Sequence, residues 1–266
     1  FNDKHLSWNW DWCQEMYDQS QQLGFAFMAG SSLPVTWRTP SIEMPLGAEI
    51  EEAVGVAYGG VDGYDIHALE TIQCMVERRA GGETGVDWLQ AYRGESFWQA
   101  YHDGVWSRRL FESALSRSHT LKPRRSGFKN IFPNWNELQE IVKDPIAYHY
   151  QHSDGLKSTM ILMSGLIEDF NFAATLKNQD QPISTQMYLP MPPARTSLAN
   201  FFSPQVNNVE RMCLTGQPSY PVERTLLTSG LVIAGVDSLD QEQSKQSTPH
   251  LKIAYQANPE STFWRT

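Results

Sequence analysis

Residues 146–177 read IAYHYQHSDGLKSTMILMSGLIEDFNFAATLK. Runs rich in apolar, aromatic and β-branched residues at 146–152 and 156–164 are separated by Ser153-Asp154-Gly155, a tight-turn signal, so the pair reads as a β-hairpin. A third strand follows at 168–177 and a fourth at 185–189. Upstream, residues 49–58 and 86–92 are strand-like, and Gly59-Gly60 leads into a helix over 62–79 that Ala80-Gly81-Gly82 closes. Residues 94–142 read as helices and loops, with Phe97, Trp98, Tyr101 and Trp106 as packing aromatics. Helices at 197–213 and 222–240 lead to a last strand at 251–255. Strands joined by short turns, with helices segregated to the side, predict an α+β fold: a mostly antiparallel open sheet with helices on one face. The uncovered face would serve a second copy of the chain, making a homo-oligomer.

The chain has 266 residues, 41% of them hydrophobic, and a formal charge of −9. A core of ordinary size is expected, and the overall field disfavours nucleic acid and anionic membranes as partners. Lys122, Arg124, Arg125 and Lys129 form the one basic cluster and read as a solvated loop. Cys13, Cys74 and Cys213 stand far apart with no C-x-x-C pair, which suggests buried thiols in a reducing, cytoplasmic setting. No apolar run approaches the ~20 residues of a membrane span. The sequence opens on Phe1-Asn2-Asp3-Lys4-His5-Leu6 rather than Met, and this phrase reads as the end of a strand entering a site loop, so a truncated reading frame is expected, which leaves an N-terminal signal open.

After that phrase, Ser7 or Asn9 can cap a helix that reaches about Leu23 and stops at Gly24. Phe25-Ala26-Phe27-Met28-Ala29 then reads as a short strand ending at Gly30-Ser31-Ser32. Strand end, helix and strand form the last step of an open α/β sheet, where ligands sit beyond the strands' carboxyl ends. The proline-rich stretch 33–48 is a connector. The expected organisation is therefore a Rossmann-like remnant at 1–32, a connector at 33–48 and the α+β sheet domain at 49–266.

Asp3-Lys4-His5 is the first place where chemistry could sit, since a lysine at a strand end can hold a hydroxyl and move protons once desolvated. The second is Asp62-Gly63-Tyr64-Asp65-Ile66-His67-Ala68-Leu69-Glu70. His67 suits proton exchange near neutral pH, and Glu70, three residues on along a helix, can orient it. A buried structural histidine is the plainer reading of His67. Cys74 would extend the set to a metal site, but mixed ligands at that spacing are unspecific, and no metal is expected. His149 and His152 fall on opposite faces of a strand. Gly81-Gly82-Glu83-Thr84-Gly85 follows a helix and lacks the G-x-G-x-x-G order, so it reads as a helix stop.

Together these pieces resemble the Gfo/Idh/MocA family of glucose-fructose oxidoreductases and inositol dehydrogenases. Asp3-Lys4-His5 is similar to that family's Glu-Lys-Pro motif, with Asp for Glu and His for Pro. Phe27-Met28-Ala29-Gly30 resembles its apolar strand and glycine, the helix of His67 and Glu70 its H-x-x-D helix, and Thr215-Gly216-Gln217-Pro218 its closing turn. The resemblance implies hydride transfer between NAD or NADP and a sugar or polyol hydroxyl. Lys4 and His67 would be catalytic, with Asp3, Lys4 and His5 beside the nicotinamide. Substrate contacts are expected from Ser31, Ser32, Arg38, Asp62, Tyr64, Asp65 and Glu70. A non-redox relative that binds sugar, or performs lyase-type chemistry in the same cleft, is the alternative. The dinucleotide's glycine loop is not in the sequence, so these 266 residues are expected neither to bind NAD(P) tightly nor to turn over.

Overall fold

The structure, a computed structural model, describes residues 1–121, 132–189 and 200–264. Lys122, Arg124, Arg125 and Lys129 lie outside them.

The N-terminal segment forms β1 (Asn2–Asp3), α1 (Trp10–Leu23) and β2 (Ala29–Gly30). Asn9 caps α1 by accepting from the Trp12 N–H, and Gly24 ends it in the left-handed conformation at φ 66°. The two strands pair in parallel, Asn2 with Ala29 and Asp3 with Gly30, so the unit is a small β-α-β crossover. The strand expected at 25–29 contracts to these two residues.

The rest of the chain runs β3 (Arg38–Thr39), β4 (Ile50–Ala57), α2 (Asp65–Val76), β5 (Val86–Arg93), α3 (Glu95–Asp103), α4 (Arg108–Leu115) and α5 (Trp135–Ile141), then β6 (Ile146–His152), β7 (Lys157–Leu162), β8 (Phe170–Leu176), β9 (Ile183–Met187), α6 (Ser203–Thr215), α7 (Glu223–Asp240) and β10 (Gln246–Ser247). Eight strands form one sheet in the order β10-β5-β6-β7-β4-β8-β9-β3. All neighbours are antiparallel except β4 and β7. The β6–β7 hairpin turns where the sequence places it. The strand expected at 251–255 is instead a 3₁₀ turn at Pro249–Leu251 followed by one isolated bridge, Glu83 to Tyr255.

Helices cover both faces, which corrects the expectation of one. On the first face, α2 and α7 pack against Leu89, Tyr148, Tyr150, Met160 and Phe172. Gly235 on α7 makes this possible, because a Cβ there would meet the Tyr148 ring at 2.3 Å. On the second, Phe97, Trp98, Phe111 and Leu138 from α3, α4 and α5 pack on Val54, Val56, Ala147, Ile161 and Ala173. Each Val, Leu, Ile, Met or Phe among them contributes ~1.5–3 kcal/mol on burial. Much of the surface that would meet a second copy is therefore occupied by the chain's own helices.

The β-α-β unit packs on α7 through Leu6, Cys13 and Ala29 against Val222 and Leu226. Cys13 and Cys74 are buried, but Cys213 is exposed, against expectation. Among the described residues no helix is long and apolar enough to cross a membrane.

Candidate functional site

Two elements meet where β2 ends. The Lys4 N–H donates to the Gly30 carbonyl at 3.2 Å, which fixes the chain after β1 beside the turn Gly30-Ser31. Lys4 adopts φ 67°, in the left-handed region, and its ammonium pairs with the Asp3 carboxylate. Ser31 faces the first turns of α2, where its hydroxyl shares a 2.6 Å hydrogen bond with His67 Nδ1. Tyr64 and Phe170 flank the imidazole, with ring centroids 5.9 and 6.0 Å away. Burial, and then the Lys4 ammonium, hold His67 down to about 4, so it is neutral at physiological pH. With Nδ1 taken by Ser31, Nε2 is the nitrogen left to meet a ligand.

Glu70 lies one turn further along α2, wholly enclosed. Its Oε2 accepts from the Ser31 N–H at 2.7 Å, and its Oε1 is 2.7 Å from the Thr225 hydroxyl. That hydroxyl is also 3.0 Å from the Ala29 carbonyl. One hydroxyl proton cannot serve both acceptors at once, and a protonated Glu70 resolves the conflict by donating to Thr225. Burial accordingly pushes Glu70 up to about 7, against the pull of Arg224 and its hydrogen bonds. Gly30 must be glycine here: at φ 109°, a Cβ would lie 2.4 Å from Glu70 Oε1.

The structure thus gathers Asp3, Lys4, His5, Ser31, Tyr64, His67 and Glu70 around one turn. Four other expected residues work elsewhere. Arg38 is buried beside the second half of α2, bonded to the Pro34 and Ile42 carbonyls and Glu43 and stacked 4.2 Å from Phe263. Ser32 closes a 3₁₀ turn through its carbonyl, which accepts from Val35 and Thr36. Asp65 is buried and bonded to its own helix start and the Tyr148 hydroxyl, and burial raises its carboxyl. Asp62 is exposed in a left-handed turn at φ 56°. Sequence reasoning missed Thr225 and Thr228 on α7, which approach Glu70, and Gln205 on α6, which donates to the Gly30 carbonyl at 3.1 Å. Only the Thr225–Thr228 spacing on one helix face hinted at them.

Among the described residues, the two helix starts beside this turn do not form a diphosphate cradle. A diphosphate needs free N–H groups at a glycine-rich helix start. Here α1 is capped by its own Asn9, and α2 opens on the Asp65 carboxylate, an anion where an anion would have to bind.

Comparison with solved structures places the fold. A putative myo-inositol dehydrogenase from Sinorhizobium meliloti 1021 is similar at TM-score 0.56 and 10% identity, over 92% of this chain and 72% of that one. A probable dehydrogenase from Thermotoga maritima is similar at TM-score 0.54 and 9% identity, over 94% and 72%. A levoglucosan dehydrogenase, solved with NADH and levoglucosan, is similar at TM-score 0.52 and 12% identity, over 93% and 73%. These neighbours are dehydrogenases, and at such identities the likeness is one of fold. No protein-family model matches the sequence, and no curated protein does.

Proposed function

We propose that this chain carries the substrate side of a sugar- or polyol-acting oxidoreductase. On this reading residues 1–32 are the end of a Rossmann-like unit and 49–266 the substrate domain, joined by 33–48. NAD or NADP would need a diphosphate cradle that the starts of α1 and α2 do not supply, and would provide the hydride acceptor. The chain's own part is to bind and orient a hydroxyl, with Lys4 donating to its oxygen and His67 Nε2 accepting its proton. Asp3 and His5 set the charge around Lys4. Tyr64 walls the imidazole, and Glu70 holds the Ser31 turn that positions it. The observation that carries this reading is the convergence of Lys4 on the turn whose Ser31 hydroxyl holds His67, two segments far apart in sequence.

The test is proton NMR of the His67 imidazole in the full chain, titrated with a panel of polyols and sugars. A member of the panel shifts the resonance, and Lys4→Ala weakens that response about tenfold, as expected for loss of one charged hydrogen bond. If no compound moves it, the reading fails. The altered motif at residues 3–5, with Asp for Glu and His for Pro, favours a second reading, a non-redox sugar-binding or lyase-type protein using the same cleft. Sugar affinity that is indifferent to added NAD(H) and NADP(H), in a longer chain carrying a glycine loop, selects the second over the first.

A further inference from the structure

A second recess lies away from Lys4 and His67. It is a cleft of ≈ 530 Å³ between α6, the turn after it and the C-terminal segment 258–264. That volume is within the roughly 300–1,000 Å³ of small-molecule sites. Its lining is made of amides and hydroxyls: Asn207 and Asn208 on α6, Gln217 after it, then Asn258 and Ser261. Arg211 and Glu260 contribute one charge of each sign, so the cleft favours neither anion nor cation. Trp264 adds an indole, half-buried, its backbone N–H donating to the Val35 carbonyl at 2.9 Å and its ring in edge contact with Trp37 at 6.3 Å.

One lining atom is left unsatisfied. The Ser219 hydroxyl is buried with no hydrogen-bond partner among the described residues. Its backbone is fixed on both sides, the N–H donating to Met28 Sδ at 3.1 Å and the carbonyl accepting from Asn258. The hydroxyl is therefore held in place beside the cleft, a buried donor without an acceptor. Neutral charge, clustered amides, an aromatic face and a waiting hydroxyl match the surface of a sugar, which has an apolar ring face and a rim of hydroxyls.

We propose that this cleft is a binding site for a neutral sugar, with amides and Ser219 on its hydroxyls and Trp264 against its ring. It is independent of the Lys4–His67 reading. The full chain is titrated calorimetrically with glucose, galactose, maltose and cellobiose, and with glucuronate as the charged comparison. At least one neutral sugar binds and perturbs tryptophan fluorescence. Trp264→Ala weakens it about tenfold or more through lost stacking. Ser219→Ala and Asn207→Ala weaken it about threefold to tenfold through lost hydrogen bonds. Asn207 is exposed on a helix, so its variant folds even if Trp264→Ala loosens the C-terminal segment. His67→Ala leaves in place the tryptophan-fluorescence response that depends on Trp264. Absence of neutral-sugar binding, preference for glucuronate, unaltered affinity in the Asn207 and Ser219 variants, or loss of that response with His67→Ala overturns the proposal.

Discussion

The two ends of α2 bury charge in opposite ways. At its start His67 and Glu70 are enclosed without an ion-pair partner of their own, and both move toward the neutral form, His67 to about 4 and Glu70 to about 7. At its end every carboxylate is matched. Glu77 pairs with Arg224 and accepts from the Tyr255 hydroxyl, and Glu83 accepts from Arg79 and Gln73 and meets His152 at 2.9 Å. Burial alone would raise Glu83, yet His152 and Arg79 hold it well below the carboxylate range. Burial likewise opposes the charge on Arg224, and Glu77 more than restores it. The same helix thus has a proton-exchanging end and an anchoring end, and the presence of a counter-charge separates them.

The sharpest way to break this contrast is at the anchor. Arg224→Ala leaves Glu77 buried and unpaired, and should cost about 3–5 kcal/mol in urea unfolding. A loss below about 1 kcal/mol would mean the pair does not anchor the helix. The proton-exchanging end is tested by pH. Folded Glu70 holds its proton up to about 7 against an ordinary 4.5, so between those values the native state binds more protons than the unfolded one. Stability therefore falls across that window as pH rises, by about 3 kcal/mol in full. Relative to the parent, Glu70→Gln gains stability from pH 4.5 to 7 and then levels off. His67, held down, works in the opposite direction from about 4 to 6.5, but it does so in both proteins and cancels in the difference. A difference flat with pH would show that Glu70 does not titrate there. The smallest effect belongs to the half-exposed pair of Arg93 and Asp144, joined at 2.6 Å. Asp144→Asn should change unfolding free energy by less than about 0.5 kcal/mol, because water and salt already screen it.

Local structure was legible where local chemistry decides it. The hairpin at Ser153-Asp154-Gly155 and the Asn9 cap and Gly24 stop of α1 follow from turn and cap residues. The one-sided sheet was a misreading with a visible cause. Strands such as Ala53-Val54-Gly55-Val56-Ala57 and Thr159-Met160-Ile161-Leu162 are apolar on both faces, which is the pattern of a sheet covered twice. The meeting of Lys4 with His67 came from family resemblance, since nothing in their spacing brings them together. Arg38 illustrates the limit from the other side: a charged residue in a connector reads as a ligand contact, and only the fold shows it turned inward to Glu43 and Phe263.

The strands at the margins are the shortest in the molecule. β3 and β10 close the large sheet with two residues each, and β1 and β2 are no longer. Fibrous growth requires a long ribbon of free amides on which an incoming chain can template itself, and margins this brief offer only one or two rungs. An incoming chain that adds to β3 or β10 therefore gains almost no ladder to grow on.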